Sequence, residues 1–162
     1  IEAFKLALAH DARFLPARAE LGRTLIDMGK PEEAVAELEK VVQASPVDIS
    51  RSWWLYFAGL AALHIPDPGR ALHFFQQSYQ ANSNYENTLR MMAVALAELG
   101  HEEKAREKLQ EFLKKRPQAT LNDWTRPNSK SNPRIAERRE QIQATLRRLG
   151  LPEGGSHIAT KP

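Results

Sequence analysis

Five histidines, His10, His64, His73, His101 and His157, are the residues with which this chain could bind a metal or move a proton near neutral pH. None forms the HxxxH pair that sets two imidazoles on one helix face to share a metal ion. The run His101-Glu102-Glu103-Lys104-Ala105 lacks the second histidine of a zinc-protease helix. With no cysteine in the chain, thiolate nucleophiles, disulfides and thiolate metal sites are excluded. There is no GxGxxG or GxxxxGK[ST] loop to cradle phosphate, and no GxSxG turn to present a serine. The densest acidic stretch, PEEAVAELEK, offers Glu32, Glu33, Glu37 and Glu39. Acids early in a helix are favoured by its dipole, and such a run reads as a solvated face. The chain is therefore expected to be non-catalytic, with no cofactor and no metal.

The remaining chemistry is recognition, and charge narrows where it lies. The net charge is +3 over 162 residues. Residues 1–100 carry 9 Lys/Arg against 12 Asp/Glu, and residues 101–162 carry 14 against 8. A polyanion would have to bind the second segment, where Arg134, Arg138, Arg139, Arg147 and Arg148 cluster. Glu137 and Glu140 dilute that patch and no base-reading motif accompanies it, so nucleic acid is disfavoured. No apolar run approaches the ~18 residues of a membrane span. Absence of cysteine fits a reducing compartment, and the cytoplasm is the expected location. Ile1-Glu2-Ala3-Phe4 already follows a helical pattern without an initiating Met. The chain is expected to be a segment of a longer protein.

The elements that must position a binding surface follow from self-similarity. Ala34, Leu38, Val41 and Pro46 are matched by Ala71, Phe75, Ser78 and Ser83, then by Ala105, Leu109, Phe112 and Pro117. The first step is 37 residues and the second 34. Gly22 corresponds to Gly59 and Ala93, and Gly29 to Gly100. A small residue on one helix and alanine on the next let two antiparallel backbones approach, where a larger side chain costs about 1–3 kcal/mol. Gly29 and Gly100 suit the left-handed position that ends a helix, and Pro46 and Pro117 follow the second helix of their units.

On these residues the chain resembles the tetratricopeptide repeat. The resemblance implies an all-α fold, an α-α superhelix of helical hairpins. It comprises a half-unit (1–12) and three units (15–48, 52–85 and 86–119). Two departures, HIPDPGRA in place of a glycine turn and three extra residues near SPVDISRS, predict a kinked or loosened junction. Residues 120–132 are expected as a linker loop in which Trp124 packs back onto the last repeat. A capping helix follows over 133–150. Asn132 stands at its N-cap, Pro133 in its first turn, and Ile135, Ile142, Leu146 and Leu149 recur at helical spacing. Residues 151–162 are expected as a flexible tail.

In such arrays the first helix of each unit lines a concave groove. The face away from the small Gly/Ala position then offers Arg23 and Asp27 in the first unit. It offers Trp53, Tyr56, Leu60 and His64 in the second, and Asn87, Arg90 and Glu98 in the third. Aromatics flanked by arginine and acid are the composition of interface hot spots. Core packing beside Trp54 and Phe57 is the competing role for Trp53 and Tyr56. Some arrays bind a C-terminal carboxylate through a Lys/Asn–Asn–Lys/Arg clamp. The corresponding positions here, Ala19, Arg23, Phe57, Asn87 and Met91, cannot form one.

Three segments together, SPVDISRSWWLYFAGLAALH, ANSNYENTLRMMAVALAELGHEEKAREKLQEFLKKRP and the tail W…NP…LRRLGLPEG, carry a second resemblance. It is to the C-terminal repeat region of proteobacterial class III adenylate/guanylate cyclases and of related winged-helix regulators. That resemblance implies a regulatory or assembly module attached to an N-terminal effector domain. The cyclase's metal-binding and purine-binding residues have no counterpart here. The expected function is a protein-interaction scaffold whose partner is a protein, a peptide or its own effector domain. Homodimerisation is the alternative, and a basic helix contacting nucleic acid ranks third.

Overall fold

Prolines fall where helices begin. Pro16, Pro31, Pro68 and Pro133 each occupy the first turn of a helix, where the missing N–H has no partner to lose. The computed structural model describes residues 1–124 and 132–154. Its helices are α1 (Glu2–His10), α2 (Leu15–Asp27), α3 (Pro31–Ala44), α4 (Arg51–His64), α5 (Pro68–Ala81), α6 (Asn87–Glu98), α7 (Glu102–Lys115) and α8 (Pro133–Leu149). A 3-10 turn, Leu121–Trp124, follows α7. The architecture is all-α, with no strand among the described residues. The expected tail histidine, His157, and parts of the expected linker and tail (125–131 and 155–162) lie outside the described residues.

Three hairpins, α2–α3, α4–α5 and α6–α7, stack side by side, each packing on the next. Leu38, Phe75 and Leu109, one per hairpin, are fully buried. The repeated glycines face these side chains, not the partner alanines. A Cβ on Gly22 would lie 2.6 Å from Leu38 Cγ, and one on Gly59 would lie 2.4 Å from Phe75 Cε1. The small residue thus makes room for a large one projecting from the neighbouring helix. Gly29 and Gly100 adopt φ of +79° and +81°. Beside them Lys30 N donates to Leu25 O and His101 N to Leu96 O at 2.9 Å, so an orphan carbonyl is satisfied at each turn.

The junctions expected to be loose are tied. In HIPDPGRA the Asp67 carboxylate accepts from Arg70 N at 3.0 Å and caps α5, and α4 and α5 pack along their length. At SPVDISRS, Asp48 Oδ1 accepts from Ser50 N at 2.7 Å and the Arg51 guanidinium donates to Val42 O at 2.5 Å. The extra residues Val47 and Ile49 project outward, 93% and 98% exposed. Within the second hairpin, and from it to the third, the buried hydroxyls interlock. Ser52 Oγ donates to Ser78 O at 2.9 Å, Ser78 Oγ donates to Ser52 O at 2.8 Å, and Thr88 Oγ1 lies 3.2 Å from Ser78 Oγ. Satisfying every polar group in that contact makes the serine at 78 tolerable in a core position.

After the third hairpin the chain turns back over the array. Trp124 packs on Phe112, ring centroids 5.8 Å apart, as expected of the linker. Helix α8 does more than close the last hairpin. Its C-terminal half packs on α6, α7 and the 3-10 turn. Its N-terminus reaches the end of α2, where the Asn132 amide donates to Met28 O at 3.2 Å. Residues 151–154, expected as the start of the tail, are held in place. Leu151 is buried, and Leu121 N donates to Pro152 O at 2.8 Å.

Candidate functional site

The first helix of each hairpin keeps one stripe off its own partner. On α4 that stripe is Trp53, Phe57, Leu60 and His64, at the i, i+4, i+7, i+11 spacing of a single face, and all four are half-buried. Shifted by the 37-residue step it becomes Pro16, Glu20, Arg23 and Asp27 on α2, all half-buried or exposed. Shifted by 34 it becomes Asn87, Met91, Val94 and Glu98 on α6, where Met91 and Val94 are 2% and 0% exposed. The stripe is open at Pro16, Glu20 and Arg23 on α2 and at Trp53, Phe57 and Leu60 on α4, and closed on α6.

The closure has two parts. Trp124 lies over α6 with its ring centroid 3.8 Å from the Arg90 guanidinium carbon. Helix α8 contributes Ile142, Leu146 and Leu149 to the same buried cluster as Met91 and Val94. Its arginines then fasten it across the array. Arg138 donates to Leu63 O at 2.5 Å and pairs with Glu98 at 2.7 Å. Arg139 pairs with Asp27 at 2.7 Å, Arg134 with Glu32 at 2.8 Å and Arg148 with Glu102 at 2.5 Å.

Of the residues expected to line the groove, Trp53 and Leu60 belong to the open stripe. The Trp53 ring lies against Phe57, centroids 4.4 Å apart. Arg23 is half-buried and paired with Glu20 at 2.9 Å. Asp27 and Glu98 are reached by α8. Tyr56 is buried, wedged between Phe57, Phe75 and Tyr85. One helical step of about 100° separates it from Phe57, and the stripe residue is Phe57. Arg90 is 6% exposed beneath Trp124, so it does not face solvent.

Electrostatics separates the covered region from the open one. Burial is the largest influence on Arg90 and lowers its pKa, while the neighbouring Tyr56 hydroxyl acts the other way. No carboxylate of the described residues pairs with it, and Nε has no hydrogen-bond partner. Burial raises the Tyr56 and Tyr85 phenols. The side-chain oxygen of Asn87 is also buried without a partner. His64 shares its Nδ1 with Leu60 O at 3.0 Å, and Nε2 is buried unpartnered. Burial first, then Arg138 and Arg139, lower its pKa to about 4, so it is neutral at pH 7.

Among the described residues no three histidines or carboxylates gather as metal ligands, and no helix is long and apolar enough to cross a membrane. What the open face can do is bury the Trp53–Phe57–Leu60 surface under another chain, with Arg23 and Glu20 as its polar edge.

Residues 1–55 and 88–119 match tetratricopeptide-repeat family models. No curated protein matches the chain. Among solved structures it is similar to a crystal structure of MamA, at 20% identity and TM-score 0.68, covering 91% of this chain and 81% of that one. It is also similar to the first tetratricopeptide domain of Spaghetti (RPAP3) bound to the HSP90 peptide SRMEEVD. That match has 17% identity and TM-score 0.61, covering 85% of this chain and 96% of that one.

Proposed function

We propose, from the premise that this chain carries tetratricopeptide repeats, that it is a non-catalytic scaffold gripping a peptide or helix over its first two hairpins. The observation that carries this reading is the half-exposed Trp53–Phe57–Leu60 stripe, continuous with the polar α2 stripe and left uncovered where the third hairpin is covered. Aromatic anchors beside arginine and acid are favoured at interface centres. The peptide-bound domain of Spaghetti is a precedent for the fold holding a peptide.

The test is site-specific photo-crosslinking. A photoreactive phenylalanine at position 57 should give a discrete polypeptide adduct in native lysate, and one at the outward-facing Gln76 should not. Equal yields at both positions would count against the groove.

We assign the chain to a larger bacterial signalling protein, as the regulatory or assembly region of an effector such as a class III cyclase. The support is the three-segment resemblance ending in LRRLGLPEG. Reading the codons upstream of Ile1 tests it. Nucleic-acid binding by the basic helix ranks lower, because Arg134, Arg138, Arg139, Arg147 and Arg148 each pair with a carboxylate of this chain.

A further inference from the structure

The contacts of α8 describe a second binding surface, separate from the aromatic stripe. Its acceptors are Asp27 and Glu98, Glu32 and Glu102 on the following helices, and the backbone carbonyls of Met28 and Leu63. Met28 and Leu63 lie at the C-terminal ends of α2 and α4, where the helix dipole is negative. Acids and dipole ends together form a negative rim across three successive hairpins. Its present occupant is one amphipathic helix bearing arginines.

The two halves of that helix are held differently. Beyond Gln141, the apolar residues Ile142, Leu146, Leu149 and Leu151 are all buried. Before it, Ile135 is the one buried large apolar residue, and the other anchors are Asn132, Arg134, Arg138 and Arg139. The Arg134–Glu32 and Arg139–Asp27 pairs are both well exposed, and exposed pairs contribute little each. Another helix with the same arginines makes the same contacts at similar gain.

We propose that the rim of Asp27, Glu32 and Glu98, with the carbonyls of Met28 and Leu63, is a recognition site for an arginine-bearing amphipathic helix of a partner protein, held in cis by the N-terminal half of α8. Charge complementarity identifies the occupant: carboxylates and carbonyls line the rim, and the donors that reach it from the N-terminal half of α8 are the guanidinium groups of Arg134, Arg138 and Arg139 and the amide of Asn132. The covalently attached α8 excludes a free helix of equal quality until it is loosened, as an intramolecular competitor does. The inference does not depend on Trp53 or Phe57, so its outcome and that of the photo-crosslinking are separable.

The experiment uses the full chain and a fluorescent peptide of residues 132–150, followed by anisotropy and sedimentation velocity. Reversing Arg134, Arg138 and Arg139 to Glu repels α8 from the rim, and this variant should bind the peptide at least tenfold more tightly than the wild type. Reversing the rim instead (Asp27→Arg with Glu98→Arg) should reject the wild-type peptide. That variant should accept one carrying Arg138→Glu and Arg139→Glu, which keeps the test decisive if the first variant unfolds. Equal uptake of both peptides by both variants, or no uptake by either, overturns the proposal. So does a wild-type dimer at micromolar concentration that takes up no peptide, since it assigns the rim to a second copy.

Discussion

One nitrogen of Arg138 lies 2.8 Å from Glu98 Oε1 and 2.7 Å from Oε2, while Nε of the same guanidinium donates to Leu63 O. A helix at the end of the chain thereby grips the C-terminal ends of α4 and α6 with one side chain. The pair is only 19% and 21% exposed, which separates it from the surface pairs around it.

Partial burial makes loss of one partner costly, because the other is left desolvated. Arg138→Ala should lower stability by about 1–3 kcal/mol, the range for an unsatisfied buried polar group. Arg138→Lys should recover less than half, since an ammonium on a flexible stem cannot hold the carbonyl and the carboxylate in one plane. Arg134→Ala, removing an exposed pair, should cost less than about 0.5 kcal/mol. Urea unfolding followed by far-UV circular dichroism ranks the three variants.

Two glycines with the same backbone need not tolerate alanine equally. Gly29 and Gly100 both require positive φ, which costs a side chain roughly 1 kcal/mol. At Gly100 an added Cβ meets nothing within 4 Å, but at Gly29 it would lie 2.5 Å from the Asn132 amide. Asn132 also caps α8 and holds Met28 O, so it cannot move without loosening α8. Gly29→Ala should therefore cost about 1–2 kcal/mol more than Gly100→Ala, an overpacking excess. In an Asn132→Ala background the excess should vanish, a coupling that a double-mutant cycle measures directly.

His64 gives the fold an acid limit. Its folded pKa, about 4, lies below the ordinary histidine value. The unfolded chain therefore binds a proton near pH 6.5 that the folded chain refuses until near pH 4. Protons bound by the unfolded state make stability fall as pH drops through that window. The contribution should be present above about pH 6.5 and lost by about pH 4, amounting to roughly 1–3 kcal/mol. Glu32 and Glu37, both held below the usual carboxylate range, add losses at the lower end. Subtracting the profile of His64→Gln isolates the histidine. A difference flat from about pH 7 to about pH 4 would refute this account.

The hairpins were legible because their determinants are local. Gly29 and Gly100 mark chain reversals by a backbone requirement, and Gly22 and Gly59 mark close approach by volume. The same register held the groove stripe too: two residues before each small position stand Glu20, Phe57 and Met91. Choosing Tyr56 as the lining residue misses by one position, an error invited by two adjacent aromatics of equal hydrophobic weight. Arg90 had no such signal. Its burial comes from Trp124, 34 residues later in the chain, and closure of the third hairpin from α8. A periodic pattern states which face is apolar and says nothing of a distant segment folding back to cover it. The arginines of α8 were legible as a basic cluster, but their carboxylate partners on the hairpins sit 40 to 112 residues away.

The Arg90–Trp124 contact decides whether the third groove segment can be opened independently. Arg90 is buried with no carboxylate beside it among the described residues, so the indole face and the Tyr56 hydroxyl are what stabilise its charge. A cation over indole contributes about 0.5–2 kcal/mol, most when desolvated. Trp124→Ala should lose that together with the ring's contact on Phe112, about 2–4 kcal/mol in all. Trp124→Phe, keeping an aromatic face of weaker quadrupole, should lose roughly half. If the guanidinium is what the ring recognises, Arg90→Met should abolish most of the cost of Trp124→Phe, because methionine packs against either ring alike. Were that cost to persist undiminished, Trp124 would be acting through Phe112 alone, and the lid over the third hairpin would be an apolar one. Thermal unfolding of the wild type, both single variants and the double variant, with Trp53 and Trp54 retained as internal fluorophores, makes that distinction.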